Sequence, residues 1–314
     1  MRILVVGAGA TGGAYGTLLQ EAGRDITYLV RAHRAESLRR DGLRFISPSG
    51  DRTNDVQVIV SGQPANPFDL ILVTVKAAAL ESAITDLRPY VGPKTLVLPI
   101  LNGTGHIAQL EQEFPGQVLA GLARIVATLE GPVVRQMTEL TALTIGTPAN
   151  GTPANGTPAN SQIPAEVTQA LNADGIDLII SDNITGALWE KWAFIAAAGV
   201  ITCLFRGPVG NIIEAGGLPK ILAAITETEA VATAAGYPVS QLAHNQSLAL
   251  LTEPGSSFTS SLYRDLIAGL QTEAEHILGD LAGQAQRLGV ETPLLDLTLI
   301  QIRTNAPVAA RPER

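Results

Sequence analysis

The feature that most constrains this chain lies near its start, where Gly7-Ala8-Gly9-Ala10-Thr11-Gly12 places glycines at the first, third and sixth positions of a turn. The turn follows a short β-branched run, Ile3 to Val6, and opens a segment of helical character from Ala10 to Ala22 that Gly23 stops; Ile26 to Val30 then reads as a second strand. In that setting each glycine has a task. Gly7 permits the tight turn, Gly9 lets an anionic group approach the backbone, and Gly12 lets helix and strand pack closely, so that a pyrophosphate rests on the helix N-terminus. A merely structural glycine turn is the alternative, but the complete strand-turn-helix-strand context points to dinucleotide binding by Gly7, Ala8, Gly9, Ala10, Thr11 and Gly12.

The end of the second strand bears on which dinucleotide. It reads Val30-Arg31-Ala32-His33-Arg34, with no acid before Glu36. A free ribose diol is normally met here by a carboxylate, whereas an arginine suits a 2′-phosphate, so Arg31 favours NADPH over NADH; a solvated surface arginine is the plainer reading. Lys76 ends the apolar run Leu70 to Val75, and Asn102-Gly103 ends the run Leu96 to Leu101. Ligands of open α/β sheets bind outside the carboxyl ends of strands, which makes Lys76 and Asn102 candidates for the same crevice, with a capping lysine and an Asn-Gly turn as the bland alternatives.

Strand and helix signals alternate to about residue 181, including a helix-like Ala77 to Leu87, a helix Pro164 to Asn172 and a strand Ile176 to Ser181. Beyond Asp182 helical periodicity dominates. The expected architecture is α/β: an N-terminal Rossmann-type parallel-sheet domain, residues 1–181, followed by an all-helical domain, residues 182–314. Residues 146 to 160 repeat Gly-Thr-Pro-Ala-Asn three times, a turn-rich unit too short to bury an apolar face and so expected to be a surface loop; the last ten residues read as a loose tail.

Of 314 residues, 46% are hydrophobic and 16% charged, which excludes a disordered chain. With 21 basic against 29 acidic residues the formal charge is −8, and aromatics make up 4%, a poor match to a nucleic-acid binder. A single cysteine, Cys203, and four scattered histidines offer neither an internal disulfide nor a zinc-ligand cluster, so the expectation is a metal-free, cytoplasmic protein. Gly7 arrives too early for a signal-peptide apolar region, and the uncharged stretch Trp192 to Phe205 falls short of the ~20 residues of a membrane span.

Together with the glycine loop, Val75-Lys76, Leu101-Asn102-Gly103, Trp189-Glu190-Lys191, Ser260-Ser261-Leu262-Tyr263-Arg264-Asp265 and Thr272-Glu273 make the chain resemble the ketopantoate reductase (2-dehydropantoate 2-reductase) family, in order and over nearly its whole length. The resemblance implies a Rossmann domain and a helical substrate and dimerisation domain, hydride transfer from NADPH to a branched 2-oxo acid, a place in pantothenate biosynthesis, and compatibility with a homodimer. It assigns the catalytic lysine to Lys191, the substrate-contacting glutamate to Glu273, the serine near the substrate carboxylate to Ser261, the asparagine bridging substrate and nicotinamide to Asn102, and the cofactor lysine to Lys76. Three positions depart from the family pattern: Ile195 and Gly199 stand where well-known members have asparagines, and Phe258 occupies a third polar position.

The residues themselves support part of this. At 100° per residue Lys191 aligns with Ile195, Ala198 and Thr202, laying its stem along an apolar helix face, where desolvation would make it a better proton donor to a developing alkoxide; a snorkelling lysine is the structural alternative. Glu273 falls in the first turn of a helix introduced by the capping box Thr272-x-x-Glu275, where the helix dipole favours an ionised carboxylate. Gly279-Asp280, in mid-helix pattern with no preceding strand, suits close helix packing better than a flavin site. The reading is an NADPH-dependent 2-oxo acid reductase with Lys191, Glu273 and Asn102 at the chemistry and Ser261 at the substrate. The alternatives are a reductase of the same build acting on a less polar ketone or imine, and a non-catalytic NADPH-binding sensor.

Overall fold

A computed structural model describes residues 1–148 and 163–305, so the repeat beyond Pro148 and the tail from residue 306 lie outside the described residues. The chain divides into two compact units, Met1–Leu101 with Gly105–Ile184, and Asn102–Thr104 with Thr185 onward.

Unit 1 runs β1 (Arg2–Val6), α1 (Ala10–Glu21), β2 (Asp25–Leu29), α2 (Ala32–Asp41), β3 (Leu43–Ser47), β4 (Gly50–Asn54), β5 (Gln57–Ile59), β6 (Phe68–Val73), α3 (Leu80–Leu87), β7 (Val91–Pro99), α4 (Gly105–Glu113), β8 (Ala120–Glu130), β9 (Val133–Gly146), α5 (Ala165–Leu171) and β10 (Asp177–Ile180). Its first sheet is parallel throughout, in the order β5-β2-β1-β6-β7. Alternation along β1 explains why Ile3 to Val6 are all apolar. Ile3 and Val5 enter one buried cluster with Tyr15 and Leu19 of α1, while Leu4 and Val6 enter another with Ile84 of α3 and Leu110 of α4.

A second sheet completes the unit and was not expected from the sequence. It runs β10-β9-β3-β4, with β8 antiparallel to β9, and it is mixed: β3 and β4 form an antiparallel hairpin, while β3 and β10 run parallel to β9. α1 packs against β1 and β2 and also against β3, β8 and β9, which is why it is buried from Gly12 to Leu19. The Tyr15 hydroxyl donates to Ala142 O at 2.8 Å, tying α1 to β9. Gly146, the first residue of the repeat, closes β9 and does not belong to a loop: a Cβ there would lie 2.7 Å from Ser181 O.

Among the described residues, unit 2 is helical, as expected: α6 (Ile184–Phe205), α7 (Val209–Glu214), α8 (Leu218–Ala234), α9 (Gln241–Leu251), α10 (Ser261–Ile267), α11 (Asp280–Leu288) and α12 (Pro293–Asn305), with a π-helical turn, Glu275–Gly279, running into α11. α6 extends well before Trp192, reaching 22 residues, and by length and composition alone could cross a membrane. It is instead the core helix of the unit, with 67% of its apolar window buried, and its apolar residues enter the same buried cluster as Ile225 of α8, Leu281 of α11 and Leu299 of α12.

Candidate active site

In unit 1 the parallel strands deliver their carboxyl ends to one edge of the sheet. Gly7 leaves β1 with φ +101°, a conformation L side chains rarely adopt, and its N–H donates to Leu29 O at 3.0 Å, pinning the turn to the end of β2. A Cβ on Gly12 would run into the Gly7 carbonyl oxygen and Thr74 Oγ1, whereas nothing lies within 4 Å of where a Cβ on Gly9 would stand. The loop is thus closed beneath Gly12 and open over Gly9, a shape that fits a phosphate laid against the backbone at the start of α1. Thr74, just past β6, shares its hydroxyl proton between Val6 O at 3.0 Å and Gly7 O at 2.9 Å, locking the loop to its neighbouring strand.

Arg31 occupies the N-cap position of α2 and is exposed, and Lys76 is exposed at the head of a short 3-10 turn, Ala77–Ala79. Arg34, half-buried, turns toward the loop: Nη2 donates to Ala8 O at 3.2 Å and Nη1 to Pro132 O at 3.0 Å.

In unit 2, Lys191 is partly buried in the N-terminal half of α6, and three segments remote in sequence pack on that helix. The first carries Asn102: Gly103, at φ +77°, is so placed that a Cβ would sit 3.6 Å from His276 O and 3.8 Å from Trp192 Cε2. The second carries Ser261. Ser260 caps α10 by accepting from Tyr263 N at 3.0 Å, and its hydroxyl meets Thr202 Oγ1 of α6 at 2.7 Å, both groups being buried. The Phe258 and Phe194 rings lie 6.3 Å apart, and a Cβ on Gly199 would stand 3.2 Å from Leu262. The third carries Glu273, immediately before the π-helical turn: Trp192 Nε1 donates to Ile277 O at 2.8 Å, and Trp192 is itself packed on Trp189, which stacks on Tyr237.

Two local expectations at this third segment need correction. Ile277 N donates to Glu273 O at 2.9 Å, so Glu273 is at the helix N-cap and not in the first turn. Glu275 does not complete a capping box; its carboxylate is held by Arg303 of α12 at 2.8 and 2.6 Å, which keeps it below the ordinary glutamate range. A Cβ on Gly279 would lie 2.7 Å from Glu275 Oε2 of the same turn and 3.6 Å from Arg303 Nη2 of α12, so the glycine leaves room for that ion pair.

The chain matches ketopantoate reductase PanE/ApbA over residues 3–150 and ketopantoate reductase PanE/ApbA C terminal over residues 183–305. It belongs to the ketopantoate reductase family. Within that family's reach it is 32% identical over 298 residues to an uncharacterized oxidoreductase of Bacillus subtilis, covering 94% of this chain and 96% of that protein. A solved 2-dehydropantoate 2-reductase from Geobacter metallireducens superposes with a TM-score of 0.84 at 24% identity, over 97% of this chain and 99% of the other. D-mandelate dehydrogenase in a ternary structure with NADH and anilino(oxo)acetate gives 0.83 at 21% identity, over 97% and 98%. The family models carry the family assignment, and the two solved structures show the fold.

Set beside the family reading, unit 1 brings Gly7 to Gly12 and Arg31 to the edge of one sheet, with Lys76 following β6, and unit 2 packs the segments bearing Asn102, Ser261 and Glu273 on the helix that bears Lys191. Thr74, Arg34, Ser260 and Thr202 were missed. Thr74 carries no pattern of its own; Thr202 was visible only as a position on the helix face of Lys191, Arg34 only as the second arginine after β2, and Ser260 only as the residue before Ser261.

Proposed function

We propose that this chain reduces a branched 2-oxo acid with NADPH, 2-dehydropantoate being the substrate that family membership favours. The observation that carries the reading is the convergence on α6: Lys191 shares its helix with the anchors of the Asn102, Ser261 and Glu273 segments, while the other unit offers a glycine cradle open at Gly9. Bound NADPH supplies the hydride to the carbonyl carbon. Gly7 to Gly12 would hold its pyrophosphate, Arg31 its 2′-phosphate, and Lys76 and Asn102 the remainder. Lys191 donates a proton to the oxygen as negative charge develops there, its ammonium acting only once that charge exists. Ser261 orients the substrate carboxylate by its hydroxyl, and Glu273 and Asn102 fix the carbonyl group, so that the reacting atoms are positioned before proton transfer.

A second reading is a less polar oxo acid. It is favoured by the Phe194–Phe258 contact and by Ile195 and Gly199 on the helix of Lys191, which offer a substrate side chain no hydrogen bond. The deciding experiment follows NADPH and NADH oxidation by absorbance against a panel of 2-oxo acids that includes 2-dehydropantoate and hydrophobic analogues. The expected result is turnover with NADPH preferred by about ten- to a hundredfold, the worth of a charge-assisted contact at Arg31. Equal use of the two nucleotides would remove the NADPH assignment, and binding without turnover on any acid would leave a sensor.

A further inference from the structure

Arg34 stands three residues after Arg31, yet its side chain goes to the glycine loop and to the turn between β8 and β9. Both acceptors are backbone carbonyls, Ala8 O and Pro132 O; among the described residues no carboxylate forms an ion pair with it, and its buried Nε has no hydrogen-bond partner. Arg88, Arg135 and Arg303 are neutralised in place by Glu113, Glu130 and Glu275, whereas Arg34, like Arg24 on the carbonyls of Gln169, Ala170 and Asn172, is held by backbone oxygens. Burial lowers the Arg34 pKa from its ordinary value, so the cation is held here at a cost. Ala8 O and Gly9 N–H are opposite ends of one peptide group, and Gly9 is the open position of the loop. A charged donor on the carbonyl fixes that peptide and polarises it, making the N–H at its far end a stronger donor.

We propose that Arg34 is a positioning residue for the phosphate cradle, acting through the Ala8–Gly9 peptide on the pyrophosphate and not on the 2′-phosphate. This rests on the dinucleotide reading given above. It separates the two arginines by the part of the ligand each serves.

The test is calorimetric titration of the full chain with NADPH, NADH, ADP and adenosine, for wild type, Arg34→Ala and Arg31→Ala. Arg34→Ala should weaken NADPH, NADH and ADP alike by about tenfold and leave adenosine unchanged, while Arg31→Ala should weaken NADPH alone. A loss confined to NADPH, an equal loss for adenosine and ADP, or no loss in a folded variant would each overturn the role of Arg34. Should Arg34→Ala not fold, Arg34→Lys and Arg34→Gln decide: the lysine, keeping charge, should bind ADP more tightly than the glutamine, and equal affinities would overturn the proposal. A wild type that binds none of the four probes would bring down the dinucleotide reading itself, whereas binding that Arg34→Ala leaves intact would bring down only this inference.

Discussion

The two units would assemble their proposed sites by opposite means. In unit 1 the proposed cradle is backbone: one turn of consecutive residues, Gly7 to Gly12, whose shape comes from the ends of β1 and β6 and from close packing at Gly12. In unit 2 the proposed site is made of side chains, drawn from positions as far apart as Asn102 and Glu273, on segments registered by contacts to one helix. A backbone cradle serves any ligand with the right phosphates and tolerates little change within the loop. A side-chain site can be retuned one residue at a time without touching the contacts that place its segments, and Ile195, Gly199 and Phe258, where this chain departs from the pattern expected of the family, are positions at which such retuning would act.

The largest expected effect tests the side-chain site. Lys191→Ala should depress kcat by roughly 10²–10⁴ while the NADPH dissociation constant barely moves, because the role proposed for the lysine is to act on charge that appears during the reaction. Steady-state kinetics beside nucleotide titration would show this, and an undiminished kcat in a folded variant would strike Lys191 from the mechanism. Next comes a contrast within the cradle. Gly9→Ala meets no neighbouring atom, so it should leave the melting temperature nearly unchanged yet cost about ten- to a hundredfold in dinucleotide affinity, by occupying the space a phosphate needs. Gly12→Ala, overpacked against Gly7 and Thr74, should lose binding and in addition about 1–3 kcal/mol of stability. If both variants bind as wild type, unit 1 has no phosphate cradle. The smallest effect concerns an anchor: Thr202→Val deprives buried Ser260 of a hydroxyl partner, at about 1–3 kcal/mol, and should raise KM for the oxo acid a few-fold with less change in kcat. Denaturant melts and kinetics on the same preparation check both halves of that statement.

The same contrast explains what could be read without a structure. β1, the glycine loop, α1 and β2 are encoded by neighbours in the chain, and each was legible. The second sheet was not, because β4 reads Gly-Asp-Arg-Thr-Asn and pairs along the whole of β3 despite a composition typical of a turn. The start of α6 was blurred because Glu190 and Lys191 interrupt its apolar run, although the buried helix continues through them. Glu275 looked like a capping partner for Thr272, and only the arrival of Arg303, 28 residues later, draws it away. Arg34 went unassigned since nothing local reveals that its guanidinium reaches Ala8 and Pro132.

The chain has two tryptophans, Trp189 and Trp192, on α6 with ring centres 4.9 Å apart and planes tilted by 40°, both buried and both in unit 2. Indole emission from the intact protein is therefore a signal of one half only, and its colour depends on whether Ile277 O still accepts from Trp192 Nε1. Unit 1 contributes buried phenols, Tyr15, Tyr28 and Tyr90, and no indole. Unfolding followed by emission and by far-ultraviolet circular dichroism will therefore coincide if the halves melt as one cooperative body and separate if they do not, with no label or mutation required.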